Sequence, residues 1–236
     1  MRNPIDVLNS LSEKSKNPSY RFQRLYRNLY NPEFYMLAYK NIYANDGSMT
    51  PGMDGTTLDG MSSRRIDGII ASLRDHSYQP KPARREYIPK KSDPNKKRPL
   101  GIPSANDKLV QEVVRQILEA IYEPIFSDNS HGFRPNRSCH TALYQIKSTC
   151  RGTNWVIEGD ITGCFDHIDH EILLKILLKK IDDGRFLELI RKFLKAALCH
   201  FGYAKGGDGR HRLSGVWNTA GRHHQPHFGQ HLSARV

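Results

Sequence analysis

The chain has 236 residues, enough for one large domain or two small ones with a sizeable core. Its 36 lysines and arginines exceed its 24 aspartates and glutamates, and the formal net charge of +12 favours an anionic partner, nucleic acid above all, although a ribosome-like protein would share this balance. Charged residues interrupt each apolar run, and the first residues lack a signal-peptide core, so we expect no membrane association and a cytoplasmic location. The four cysteines form no C-x-x-C pair, which argues against a zinc knuckle or a disulfide framework.

Residues 5–45 predict helices in which aromatic and basic side chains interleave, as in "SYRFQRLYRNLYNPEFYMLAYKNIY". Two interpretations remain open. Either the rings pack into a core as the apolar face of an amphipathic helix pair, or they line a surface that stacks bases while the cations neutralise phosphates. The rings are Tyr20, Phe22, Tyr26, Tyr30, Phe34, Tyr35, Tyr39 and Tyr43, and the cations are Arg21, Arg24, Arg27 and Lys40.

A polar loop and a basic hairpin are predicted next. Residues 44–60 are rich in Gly, Asp, Asn and Thr, which indicates a loop with several turns that is long enough to be functional. Residues 81–98 contain eight basic residues, and the extended segments "REYIP" and "KRPLGI" flank the turn signal "SDPN". The hairpin is either a solvated basic surface or an arm that reaches over phosphates.

Helical periodicity dominates the second half of the chain. Apolar residues recur from Leu109 to Tyr122 and end before Pro124, which predicts a core helix. The segment "SHGFRPNRSCHTALYQIK" predicts a turn and then a helix capped by Asn136 or Ser138. "WVIEGD" predicts a short buried strand, and residues 172–198 predict two amphipathic helices that are broken near Asp183 and Gly184.

The stretch "GDITGCFDHIDH" concentrates acidic and imidazole groups after this predicted strand. Asp160 is either a metal ligand, with the Ile161 carbonyl as a second oxygen, or an ordinary strand-end or cap residue. Hard oxygen ligands of this kind suit Mg²⁺. One aspartate does not complete a two-ion phosphoryl-transfer site, because such ions need shared carboxylates. The other groups are expected to start a helix, because acidic residues favour a first helical turn; they are Asp166, His167, Asp169 and His170.

Four ordered blocks resemble the reverse transcriptase domain of group II intron-encoded proteins. They are "NDGSMTPGMDG", "RREYIPKKSDPNKKRPLGIPSANDKLVQEVVRQILEAIYEPIF", "NSHGFRPNRSCHTAL" and "WVIEGDITGCFDHIDHEIL", and the resemblance covers roughly residues 20–203. It implies an α+β fold, the fingers and partial palm of a right-hand polymerase, helix-rich with a basic β-hairpin and an incomplete antiparallel palm sheet. The implied organisation is an N-terminal helical extension and loop block (1–60), fingers (61–150), a partial palm (151–203) and an aberrant tail (204–236).

The resemblance also implies an activity and residue roles. The family copies intron RNA into DNA by two-metal phosphoryl transfer with Mg²⁺ and assists intron splicing and mobility, so the implied partners are an RNA template, a DNA primer, dNTPs and group II intron RNA. Asp160 matches the first catalytic aspartate and metal ligand, with Ile161 as a carbonyl ligand at the nucleotide. The remaining nucleotide-binding candidates are the aromatic gate Phe165 and the triphosphate-binding cations Lys90, Arg98 and, more weakly, Arg84. Arg134 matches a template or primer contact, or equally a brace between fingers and palm.

The tail departs from this pattern. The family's Pro-Gln-Gly block and Tyr-Ala-Asp-Asp strand do not appear, and residues 204–236 are basic and His-rich with little apolar periodicity. Codons for residues 218–235 can be chosen so that the frame one nucleotide later translates as "TPQGGIISPILANIYLHE", which looks like the missing block. We therefore expect a frameshift near Gly215–Trp217, a disordered tail and negligible polymerisation by this chain. The alternatives are a non-catalytic RNA-binding fragment and a retron or CRISPR-associated reverse transcriptase.

Overall fold

The computed structural model of the chain describes residues 2–45, 47–90, 93–161, 167–196 and 198–199. Helices dominate these ranges, and a short sheet lies between them. The helices are α1 (Pro4–Ser15), α2 (Pro32–Tyr43), α3 (Ser63–Arg74), α4 (Ala105–Tyr122), α5 (Cys139–Thr149), α6 (His170–Leu178) and α7 (Gly184–Lys195), with 3-10 turns at Tyr26–Tyr30 and Glu123–Ile125. The strands are β1 (Ala83–Lys90), β2 (Asp93–Ile102) and β3 (Leu198–Cys199).

Each helix begins at a polar residue whose side chain accepts a hydrogen bond from a backbone N–H of the first turn. This is the ordinary way to satisfy N–H groups that have no partner inside the helix. At α5 the cap is a reciprocal pair, in which Ser138 and Thr141 each accept from the other's backbone. Ser138 rather than Asn136 is therefore the cap of α5. The capping residues are Asn3, Asn31, Ser62, Ser104, Ser138, Asp169 and Asp183 in chain order.

Helix α4 lies at the centre of the hydrophobic core, as its periodicity predicts. Its apolar residues from Leu109 to Tyr122 are buried, and it packs against α1 and α2. The predicted break between the last two helices is also confirmed, because α6 ends at Leu178 and α7 begins at Gly184. Local sequence predicts these helices because an apolar stripe at helical spacing is buried when the segment forms a helix whose apolar face packs against the core.

Four of the eight amino-terminal rings belong to the core, and three more, Tyr20, Tyr30 and Tyr39, are partly buried against it. Phe22, Tyr26, Phe34 and Tyr35 are buried, whereas Tyr43 is 48% exposed. The Tyr35 hydroxyl donates to the Leu29 carbonyl at 2.8 Å, so its polar end is satisfied inside the protein. Of the two interpretations left open above, core packing describes these four rings.

The predicted hairpin is confirmed. Strands β1 and β2 pair in antiparallel register, with Arg84 opposite Ile102 and Ile88 opposite Arg98. The register shifts between Pro89 and Lys90, next to the turn. On its other side β1 pairs in parallel with the two-residue strand β3, which gives the strand order β2-β1-β3.

The predicted buried strand at "WVIEGD" is wrong for the described residues. Positions 153–160 have no regular secondary structure, and Trp155, Val156 and Ile157 are 88%, 87% and 98% exposed. Helix α5, which precedes this segment, also contains no buried residue. A run of β-branched and aromatic residues forms a strand when a neighbouring backbone supplies its hydrogen bonds, and no strand within the described ranges pairs with this one.

Candidate functional site

Two arginines of the basic hairpin, Arg84 and Arg85, have different surroundings. Arg84 forms an ion pair with Glu86 (Nη1 to Oε1, 3.2 Å), and its buried Nε has no hydrogen-bond partner among the residues described. Arg85 lies over the Tyr87 ring, 5.9 Å from the guanidinium carbon to the ring centroid. The backbones of Lys90 and Arg98 lie in β1 and β2, and their side chains are outside the described part of the structure.

The strand register assigns two of the three predicted triphosphate-binding positions, 84 and 98, to one side of the hairpin. Alternate residues of a strand face the same side, and directly opposed residues of an antiparallel pair share a face. Position 98 is opposite Ile88, which is four residues after Arg84 in β1. Positions 84 and 98 therefore belong to the same face, although they are separated by the turn.

The base of the hairpin is fixed to the first turn of α4 by a buried carboxylate. Asp107 accepts hydrogen bonds from the Tyr78 hydroxyl (2.5 Å), the Lys81 backbone N–H (3.0 Å) and the Ser104 hydroxyl (2.7 Å). Burial raises the pKa of Asp107, and these hydrogen bonds oppose that shift. Three donors from two segments, the one that enters β1 and the one that precedes α4, meet at this side chain and tie the start of β1 to α4.

The loop of residues 47–60 is attached to the same helix turn. Lys108 donates from Nζ to the carbonyls of Ser48 (3.1 Å) and Thr50 (2.9 Å), and burial lowers its pKa, with nearby Arg84 adding to the effect. Gly52 approaches so closely that a Cβ there would lie 2.6 Å from Ser104 Cα. Sequence reasoning missed Asp107 and Lys108; the only available signal was "SANDK", where a helix begins with a Ser-x-x-Asp box.

The buried guanidinium of Arg134 stabilises the Gly-Phe-Arg-Pro turn. Its guanidinium binds Glu123 through Nε (3.1 Å) and Nη2 (2.9 Å) and donates from Nη1 to the carbonyls of Ser127 (2.7 Å) and Ser130 (2.8 Å). The Arg134 side chain is 6% exposed. These contacts brace the turn itself, within residues 123–134 of the predicted fingers, and both the template contact and the fingers–palm brace stay predictions. A template contact would require the guanidinium to leave Glu123. The next residue back, Phe133, is 63% exposed and has φ +56°, a backbone conformation that non-glycine residues rarely adopt.

The predicted catalytic segment is exposed where it is described. Asp160 has no hydrogen-bond or ion-pair partner among the described residues, and Ile161 is 65% exposed. Phe165 and Asp166 lie outside the described ranges. Asp169 accepts from the backbone N–H of Glu171 (2.8 Å) and Ile172 (3.0 Å), which lowers its pKa and confirms the expected helix start.

Oxygen donors for a metal ion are present but few. The Asp160 carboxylate and the Ile161 carbonyl are the hard ligands that Mg²⁺ prefers. Within the part of the chain that the structure describes, no group of three or more His, Cys, Asp or Glu residues is placed to hold a metal ion. These residues therefore fit one partly ligated Mg²⁺ and do not complete a two-ion site. None of the described helices is long and apolar enough to cross a membrane.

Comparison with known proteins assigns the chain to a family. Residues 88–217, more than half of the chain, match the model of the reverse transcriptase (RNA-dependent DNA polymerase) family, and this range includes most of the hairpin, α4, Arg134 and Asp160. The chain is 52% identical over 197 residues to the group II intron-encoded protein LtrA of Lactococcus lactis, covering 83% of this chain and 33% of that protein. It is 49% identical over 198 residues to an uncharacterised 91 kDa protein in the cob intron of Schizosaccharomyces pombe, covering 83% and 24% of the two chains.

A bacterial relative matches over a larger share of its own length. The Escherichia coli protein YkfC is 41% identical over 189 residues, which cover 76% of this chain and 49% of that protein. The chain spans about a third or less of the length of the first relatives described. From the family match and these relatives, the chain belongs to the reverse transcriptase family and corresponds to the amino-terminal part of the reverse transcriptase region in group II intron-encoded proteins.

Proposed function

We propose that the chain supplies the fingers and the first part of the palm of a right-hand polymerase that copies group II intron RNA into DNA and assists intron splicing and mobility. The observation that carries this proposal is the continuous family match over residues 88–217, which joins the basic hairpin to Asp160 in one recognised unit. The intron-encoded relatives support intron RNA as the partner. The net charge of +12 suits an RNA template and a DNA primer, because binding polyanions requires an excess of cations.

The hairpin is proposed to bind the triphosphate of the incoming dNTP through Arg84, Lys90 and Arg98. Support comes from the shared face of positions 84 and 98 and from the Nε of Arg84, a donor without a partner among the described residues. Cations at such a position neutralise the charge that develops as the phosphoryl group is transferred. Phe165 would exclude a ribose 2′-hydroxyl, and Arg134 would position the template side by bracing its turn rather than by direct contact.

Asp160 and the Ile161 carbonyl are proposed to hold Mg²⁺. When bound, the ion stabilises negative charge on the reacting oxygens in phosphoryl transfer. The role of this chain is to present a carboxylate without competing internal partners, which matches the exposed Asp160. A two-ion site needs further carboxylates, which the family places after the Pro-Gln-Gly block.

We further propose that a frameshift separates this chain from those carboxylates. The family match ends at residue 217, immediately before residues 218–235, whose shifted reading resembles the missing block. The gene sequence is the direct test. A shifted frame that lacks the "TPQGG" block and a later Tyr-Ala-Asp-Asp segment would disprove the frameshift.

Primer extension tests the polymerase itself. The chain as translated is expected to incorporate dNTPs on an RNA template no faster than its Asp160→Ala variant. The gene with its frame restored is expected to extend the primer in the presence of Mg²⁺ and to lose that activity on Asp160→Ala substitution. A frame-restored protein that extends equally well without Asp160 would contradict the assigned role.

A second candidate function is RNA binding without catalysis. The basic composition of the hairpin, where Lys97 is exposed, and the high net charge favour it, because phosphate contacts need no complete metal site. RNA affinity that falls steeply with salt, in a chain whose frame-restored form still fails to incorporate nucleotides, would select this candidate over the polymerase.

A further inference from the structure

Helix α5 is held to the rest of the protein by polar contacts. It contains no buried residue, and Leu143, Tyr144 and Ile146 are each more than half exposed. The apolar packing that fixes α4 is therefore missing from this helix. Hydrogen bonds to the preceding turn set its position instead.

One imidazole supplies most of these hydrogen bonds. His131 lies in the turn that Arg134 braces, and its Nδ1 is 2.9 Å from the Thr141 hydroxyl oxygen while its Nε2 is 2.6 Å from Gln145 Oε1. Thr141 and Gln145 are four residues apart, so the ring spans one face of α5 over a full helical turn. Among the described residues, the other side-chain hydrogen bond that joins this turn to α5 runs from Gln145 Nε2 to Asn129 Oδ1 (2.6 Å).

Both partners of the imidazole are acceptors. The Thr141 hydroxyl donates its single hydrogen to the Ser138 carbonyl (2.8 Å) and accepts from the Ser138 backbone N–H (2.9 Å), which leaves a lone pair for His131 Nδ1. The Gln145 amide nitrogen donates to Asn129, so its carbonyl oxygen is the atom beside Nε2. A neutral imidazole has one donor and one acceptor nitrogen, whereas an imidazolium has two donors. The cationic ring is therefore the form that donates to both oxygens.

The charged groups near this ring are paired with one another. In the turn and just before it, Arg134 binds Glu123, and Arg137 binds Asp128 at 3.2 Å. Within the described part of the chain, neither carboxylate forms an ion pair with the imidazole. The other titratable side chains of α5 lie outside the face of Thr141 and Gln145 by their helical spacing; they are Cys139, His140, Tyr144 and Lys147. Two neutral oxygens, rather than an opposite charge, therefore hold the second proton of the ring.

We propose that His131 is a proton-dependent latch that fixes α5 on the braced turn. When the ring is protonated, it donates to two positions one helical turn apart. When the ring releases one proton to water, one nitrogen presents a lone pair to an oxygen lone pair, and that contact becomes repulsive. Imidazole groups change charge between about pH 5 and pH 8, so the latch is closed at the acidic end of this range and open at the alkaline end.

The latch acts on the helix that leads to the predicted catalytic segment. Helix α5 ends at Thr149, and residues 153–160, which end at Asp160, follow it without regular secondary structure. Opening the latch therefore frees the helix from which this segment extends. The inference requires neither RNA nor nucleotide binding, so it goes beyond the proposed function.

The first test measures the protonation state of the ring in the full chain, with histidine labelled with nitrogen-15. The two ring nitrogens have nearly equal chemical shifts in an imidazolium and widely different shifts in either neutral tautomer. The signals of His131 are those that disappear in the His131→Gln variant. We expect equal shifts at about pH 5 and separate shifts at about pH 8, and a ring that is neutral at about pH 5 would overturn the latch.

The second test measures amide hydrogen exchange of α5, expressed as protection factors because the intrinsic exchange rate itself changes with pH. Protection is expected to fall about tenfold or more from about pH 5 to about pH 8, as it should when a hydrogen bond to a charged group is lost. His131→Gln is expected to show the lower protection at both pH values. His140→Gln is the matched control, because this exposed histidine of α5 lies outside the latched face, and it should keep the pH dependence of the unmodified chain.

The core helix α4 is the internal reference in the same experiment. Its protection is expected to stay unchanged over this pH range in each variant, which shows that the fold is retained. A fall in α4 as large as the fall in α5 would reveal a global effect of pH and overturn the latch. Equal pH dependence in His131→Gln and in the unmodified chain would overturn it as well. Neither result bears on the proposed function, which primer extension tests separately.

Discussion

Replacing Arg134 by methionine tests whether this arginine is a structural brace. The substitution keeps an unbranched side chain but removes the bidentate ion pair with Glu123 and the donors to the carbonyls of Ser127 and Ser130. Breaking a buried pair by removing one partner costs about 3–5 kcal/mol, because the remaining charge and acceptors stay desolvated. Glu123 is 28% exposed and can recover some hydration, so the lower end of that range, about 3 kcal/mol, is expected.

The assay is equilibrium unfolding in urea, followed by far-ultraviolet circular dichroism. A domain of ordinary stability has about 5–15 kcal/mol, so Arg134→Met should shift the unfolding midpoint clearly and leave the protein folded in water. Arg137→Met is the matched control, since Arg137 pairs at 3.2 Å with Asp128, whose side chain is 93% exposed. Exposed pairs of this kind contribute about 0–1 kcal/mol.

A double-mutant cycle with Glu123→Gln sharpens the test. If the pair acts as a unit, the double variant should be more stable than the sum of the two single losses implies, with a coupling of about 0.5–3 kcal/mol. Arg134→Met that unfolds like Arg137→Met, and weakens RNA binding instead, would refute the brace and restore a direct template contact.

Three further predictions follow from the site. Lys108→Met should destabilise the protein by about 1–3 kcal/mol, because two loop carbonyls lose a buried donor, and limited proteolysis within residues 47–60 should accelerate; unchanged cleavage would show that the loop is held without it. Gly52→Ala should lower the free energy of unfolding in urea by about 1–3 kcal/mol, because its Cβ would meet the backbone of Pro103 and Ser104 just before α4. Gly68→Ala, in an open position of α3, should raise it by about 0.5–1 kcal/mol. Burial alone would raise the pKa of Glu112, but hydrogen bonds from Arg115 outweigh burial and lower that pKa in the folded protein. The stability that Glu112 contributes is therefore present above its unfolded pKa. It is lost as the pH falls through the folded pKa. Glu112→Gln should therefore flatten the acid limb of stability against pH, and an unchanged slope would contradict the assignment.

Local patterns in the sequence were sufficient to predict the elements that form from neighbouring residues. The core helix α4, the basic hairpin and the break before Gly184 all depend on spacing or turn chemistry within a few residues, whereas the choice of Ser138 over Asn136 as the cap of α5 came from the structure. Ordered motif blocks were also sufficient to identify the family, because the order of residue types along two chains can be compared without coordinates.

Contacts between distant segments were decided by tertiary structure alone. "WVIEGD" has the composition of a strand, yet its backbone has no pairing partner among the described residues and its apolar side chains are exposed. Motif comparison left two roles for Arg134, and it could not show that this side chain braces its own turn through Glu123, eleven residues earlier.

Sequence reasoning also missed the cleft that residues 24–30 form with residues 182–185, because these two segments are far apart along the chain. Capping and periodicity reflect interactions along the backbone, which the order of residues specifies directly. A binding surface depends on which charges are left unneutralised after folding, and that depends on partners that only the packed chain brings within a few ångströms.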